Sequence, residues 1–148
     1  MKTKVEGFKE LEVALGELKQ SAARGVARKV LRKAGDPFMA AWRTAMPEGE
    51  GKLREDLKMG GRLTRVQARA ARKGRKKSEV LVYIGVADPA GQQTEFGNAH
   101  QAAQPHGRPT WEAYKIRVLE AISNMLGQEI YRAISRARKR AERAAAKK

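Results

Sequence analysis

Four carboxylates, Glu48, Glu50, Glu55 and Asp56, fall within nine residues, the density at which paired acid–base chemistry becomes conceivable. Lys52, Arg54 and Lys58 are interleaved with them, so a solvated, salt-bridged turn accounts for them better. The histidines are His100 and His106, a spacing that does not set both on one helix face. With no cysteine in the chain, a zinc ligand set has no further members and no thiol nucleophile exists. No Gly-x-Ser-x-Gly elbow, Walker loop or dinucleotide fingerprint occurs. The expectation is therefore a protein without catalytic residues, metal or cofactor, one that works by binding.

Charge is the next candidate for chemistry. The 148 residues carry a net +16, and that charge is unevenly spread. Residues 62–78 hold eight basic and no acidic side chains, and residues 136–148 hold seven basic and one acidic. Residues 79–135 hold four basic and six acidic, so the remainder reads as a nearly neutral body with cationic extensions. Neither basic stretch contains an aromatic residue. Such segments hold phosphate by charge and counterion release but have nothing to stack on bases. Arg62, Arg65, Arg69, Arg72, Lys73, Arg75, Lys76 and Lys77 are accordingly candidate contacts to nucleic-acid phosphate or to an acidic partner.

The elements that must position these groups follow from periodicity. Phe8, Leu11, Leu15 and Leu18 recur at helical steps and predict a first helix. A second begins near Ser21, with Val26, Val30, Leu31 and Ala34 inward and Arg24, Arg28 and Arg32 outward. At Gly35-Asp36-Pro37 two readings stay open: a new helix capped by Asp36, or one continuous kinked helix. Phe38, Ala41, Trp42 and Ala45 carry the apolar face on to Pro47. Glu79–Ala87 alternates as a strand with two apolar faces, expected to pair with Leu53–Gly60 and with Gln93–Phe96. A long final helix is expected from about Thr110 as N-cap, its stripe running from Trp111 through Val118 and Ile122 to Ile134. Trp42 and Trp111 sit on apolar stripes and are assigned to the core. The fold class is α+β: a small, mostly antiparallel sheet packed with N-terminal helices and one long C-terminal helix. One domain over residues 1–135, with a basic loop at 62–78 and a basic extension at 136–148, completes the outline. No apolar run approaches the roughly 20 residues that span a bilayer, so no membrane partner is expected.

Several short motifs follow one another in a characteristic order. Ala45-Met46-Pro47 is followed by Gly51-Lys52-Leu53-Arg54, then by Tyr83-Ile84-Gly85-Val86. Glu95-Phe96-Gly97 comes next, and Pro105-His106-Gly107-Arg108-Pro109 opens the last helix. Over residues 8–128 this order resembles the small tail-completion, or neck, proteins of long-tailed double-stranded-DNA bacteriophages. Asn98 stands where the family usually has Thr, and His106 stands where it prefers Phe.

The resemblance implies a structural virion protein at the head–tail junction, assembled in the host bacterial cytoplasm. It implies self-association into a ring, a homohexamer first and a dodecamer as the alternative. The implied neighbours are a connector or stopper ring and a tail-tube or terminator protein, with packaged DNA as a charge-driven contact. Glu95, Phe96, Gly97 and Arg108 are the candidate subunit or partner interface. Charge alone supports a reading from another class, a small basic nucleic-acid-binding protein.

Overall fold

The computed structural model describes residues 16, 20–48, 52–63, 65, 68 and 79–146. The helix expected at Phe8–Leu18 lies outside the described residues, apart from Gly16, as do Glu50 and most of the basic loop. In chain order the described elements are α1 (Gln20–Ala45), β1 (Leu57–Gly60), β2 (Tyr83–Val86), α2 (Pro89–Phe96) and α3 (Gly107–Ala145). This is an α+β arrangement: a two-stranded antiparallel ribbon and short α2 lie against a long helix pair.

α1 runs through Pro37 without a break, which decides between the two readings of Gly35-Asp36-Pro37. Gly35 serves a different purpose from ending a helix. A Cβ there would lie 2.9 Å from Ile84 Cδ1 and 3.4 Å from Met59 Sδ, so glycine leaves room for the Ile84 and Met59 side chains to pack against α1. Buried Val26, Val30, Ala34 and Phe38 mark the inner face, as the periodicity indicates. Beyond the helix, buried Met46 keeps its carbonyl satisfied by Arg54 Nε, which donates at 3.0 Å. Arg43 likewise donates to the carbonyls of Arg54 and Leu57. Arg43 and Arg54 thus tie the end of α1 to the start of β1. Around it, Arg54 pairs with Glu48 at 3.0 Å and Lys58 with Asp56 at 3.4 Å, as a salt-bridged turn should.

β1 and β2 pair from Leu57↔Val86 to Gly60↔Tyr83, the expected antiparallel partnership across the basic loop. The strand is shorter than Glu79–Ala87, and its residues are half-buried rather than covered on both faces. Gln93–Phe96 is not a third strand but the end of α2. The reason is local: Asp88 Oδ1 accepts from Ala90 N at 2.7 Å and Pro89 occupies the first turn, which starts a helix before any strand can pair.

α3 packs antiparallel along α1. At its far end Ile130, Ala133 and Val26 form a closed aliphatic cluster, with Leu126 and Ile134 against it. Glu129, nearly buried beside that cluster, accepts from Lys29 Nζ at 2.8 Å and from Arg132 Nη1 at 3.2 Å. These bonds outweigh burial and hold its carboxyl below the ordinary range. At its near end α3 meets α1 through aromatic rings: Phe38 stands edge-on to Trp111 at 5.1 Å and tilted against Trp42 at 5.5 Å. The helix continues without interruption past Ser135, and residues 136–140 are exposed.

Candidate functional site

α3 begins at Gly107, three residues before the expected cap, so Pro109 and Thr110 lie inside its first turn. Thr110 Oγ1 donates to the His106 carbonyl at 2.7 Å and leaves the leading amides of the helix unserved. His106, at the N-cap position, supplies no side-chain acceptor. Glu95 supplies it from the last turn of α2. Its Oε2 accepts from His106 N at 2.8 Å and Gly107 N at 2.9 Å, and its Oε1 accepts from Arg108 N at 2.8 Å. A carboxylate at the positive end of the helix dipole, holding three backbone donors, is a strong cap.

The intervening loop brings these partners together. Gly97 closes α2 by donating to the Gln93 carbonyl at 2.7 Å and adopts φ 75°. A Cβ at Gly97 would lie 2.8 Å from Ala103 N and 2.9 Å from Gln101 O, so glycine is required on two counts. Asn98 Oδ1 accepts from His100 N at 2.8 Å, turning the chain, and Gln104 N returns to donate to Thr94 O at 2.8 Å. Arg108 then reaches back: Nε donates to Glu95 Oε1 at 3.3 Å and Nη2 to the Glu95 carbonyl at 2.8 Å. Its guanidinium lies 4.8 Å from the centroid of the Phe96 ring.

Glu95, Phe96, Gly97 and Arg108, chosen from sequence as an interface, therefore meet one another in a clasp within the chain. The Glu95 side chain is 13% exposed. Burial pushes its carboxyl up, but the amides of Gly107, Arg108 and His106 and the Arg108 guanidinium outweigh that and hold it below the ordinary value. Engaged by these donors, the group is organised as an acceptor and not as a proton-transferring base.

Beside the clasp, the aromatic end of the helix pair leaves an apolar cleft of about 730 Å³, bounded among others by Leu31, Phe38, Ile84, Trp111, Val118 and Ile122. The ionisable groups among its described lining residues are Glu95, Arg108 and Glu112. Trp111 is 42% exposed, which corrects its assignment to the core: one face of the ring meets Phe38 and the rest borders the cleft. Trp42 is half-buried, packed so closely on α3 that a Cβ at Gly107 would lie 2.5 Å from its Cζ2. Phe96 at the rim is 62% exposed, and Ile116 and Leu119 of α3 are exposed as well. Behind the clasp a second cavity, of about 20 Å³, is lined by Met46, Pro47, Leu53, Val86, Glu95 and His106, among others. Trp42 Nε1 and His106 Nε2, whose residues both line it, have no hydrogen-bond partner among the described residues.

Of the cationic loop candidates, Arg62 and Arg65 are described and both are exposed. Arg69, Arg72, Lys73, Arg75, Lys76 and Lys77 lie outside the described residues. Among the described residues no group of three or more His, Asp or Glu is arranged to hold a metal ion, and no helix is long and apolar enough to cross a membrane. The helix-capping role of Glu95 is not evident from the sequence pattern. Its signal is an acid preceding Phe-Gly, followed by a helix start with no Ser, Thr, Asp or Asn of its own in the cap position. No protein-family model matches the chain, and no curated protein or solved structure does so either.

Proposed function

We propose that this chain is a structural virion protein of the phage head–tail junction, a tail-completion or neck component that joins tail to DNA-filled head by protein–protein binding. The observation that carries the reading is where its motif residues meet. Met46, Pro47, Leu53, Val86 and Glu95, drawn from four of the five short motifs behind the family resemblance, surround one small cavity together with His106, which departs from the fifth. A scattered set of chance matches would have no reason to converge on one end of the fold. That same end bears the open apolar cleft and the exposed rings of Phe96 and Trp111, the aromatic composition typical of interface centres. A two-stranded ribbon also leaves backbone edges for a neighbouring copy to cover.

In this reading the clasp holds the aromatic rim in a fixed shape, and the rim and cleft receive the next subunit of a closed ring. Connector or stopper proteins above and tail-tube or terminator proteins below would meet the two faces of that ring. The test is co-expression with the tail-tube and connector proteins of the same phage, followed by mass measurement by light scattering. The chain alone should run as a monomer and reach ring mass with its partner. Phe96→Asp, at the exposed rim, should abolish that step while leaving the far-ultraviolet circular dichroism unchanged. Purified virions carrying no immunogold label at the neck would reject the assignment.

A further inference from the structure

We infer that the closed end of the helix pair is a binding face for the phosphate backbone of double-stranded DNA, formed jointly by α1 and α3. Residues 20–35 contain five basic side chains and no acidic one, a local excess hidden when the N-terminal 61 residues are counted together. The antiparallel pairing packs that segment against Leu126 to Ile134, immediately before the basic end of α3. Lys29 and Arg132 both bond Glu129, so they lie on the same side of the pair. Lys33 is one turn from Lys29, while Arg136, Arg140 and Arg143 follow Arg132 at steps of four, four and three. All of these extend one side, and Lys33, Arg136, Lys139, Arg140 and Arg143 are exposed. Of the carboxylates along the seam, Glu129 is already held by two cations, and Glu142 is exposed among Lys139, Arg140 and Arg143, leaving the row with a clear basic excess.

Chemistry separates the polyanions that could lie there. A protein interface needs an apolar centre, yet from Arg136 to Ala146 the apolar residues are all alanine. A membrane surface would want large apolar groups opposite the charges, and the same alanines offer none. A rigid row of cations at one-turn spacing suits a uniform line of phosphates, bound by counterion release without base reading. This surface is separate from the rim and cleft, so it stands whether or not the chain forms a ring.

The experiment is fluorescence anisotropy of the full chain with a labelled 24-base-pair duplex of arbitrary sequence, over a range of sodium chloride concentrations. The seam variant Lys33→Gln/Arg136→Gln/Lys139→Gln/Arg140→Gln/Arg143→Gln should lower the slope of log K against log salt by about 4.5, at roughly 0.9 for each phosphate left without its cation. The control Lys52→Gln/Lys58→Gln/Lys115→Gln/Arg117→Gln, four cations outside both the seam and the 62–78 loop, should change it by less than about one on the same scale. Arg136→Lys/Arg140→Lys/Arg143→Lys should bind like the parent. Equal losses in seam and control variants, an unchanged slope in the seam variant, or weakened binding in the charge-retaining variant would overturn the inference. So would polyglutamate binding the chain as tightly as DNA through the same residues. Circular dichroism matching the parent keeps each result attributable to binding.

Discussion

The two ends of the α1–α3 pair solve the same packing problem in different ways. The far end is filled: Val26, Ile130 and Ala133 interlock, and the neighbouring carboxylate is satisfied by two cations. The near end is braced: the Phe38 ring contacts Trp42 tilted and Trp111 edge-on, a cleft stays open between the helices, and a hydrogen-bonded clasp holds the helix start. Side chains filling a core stabilise through volume, whereas a brace of hydrogen bonds and glycines stabilises through geometry. A surface meant to receive something else is better served by the second, because it stays open without collapsing.

The sharpest way to break this contrast is at the filled end. Ile130 is fully buried, so Ile130→Ala should cost about 3 kcal/mol in urea unfolding, a cavity with little freedom to relax. At the braced end Gly97→Ala should cost about 2 kcal/mol, for its left-handed φ and for backbone atoms already in the way. Its near-ultraviolet dichroism should change more than that of Ile130→Ala, since the loop aims the aromatic rim. Glu95→Ala should cost about 1 kcal/mol, the scale of a helix cap discounted for partial solvent access.

That last contribution depends on acidity in a set direction. The folded-state carboxyl is lowered from 4.5, so its stabilisation is complete above the unfolded-state value and is lost as pH falls through the lower folded value. The difference in melting temperature between the parent and Glu95→Gln should therefore shrink on acidification from pH 7, and a difference that stays constant would remove the clasp from the comparison. At the bottom of the scale, Lys115→Ala breaks an exposed pair with Glu112 and should move stability by less than about 0.5 kcal/mol.

Periodicity carries most of the fold. The stripes Val26–Val30–Ala34 and Trp111–Val118–Ile122 are legible because burying one face forces apolar residues to repeat at the helical step. Pro37 is not decidable from sequence, because proline ends some helices and only bends others, and packing of Gly35 on Ile84 is a tertiary fact. The strand expected at Gln93–Phe96 should have yielded to Asp88-Pro89, a cap and first-turn pair already present in the sequence. Misplacing the start of α3 has a plainer cause. Local reading looks for a cap beside the helix it serves, and here the acceptor comes from another element. Glu95, Phe96, Gly97 and Arg108 stand out in the sequence as a set, but their mutual contacts depend on the loop geometry.

Because Glu95 serves a helix other than its own, the first turn of α3 has no independent existence. It forms when the stretch from Asp88 to Pro105 has folded back, and it melts with that stretch as one cooperative unit. Anything that grips the Phe96 rim from outside is therefore mechanically linked to the register of a helix that runs the length of the molecule.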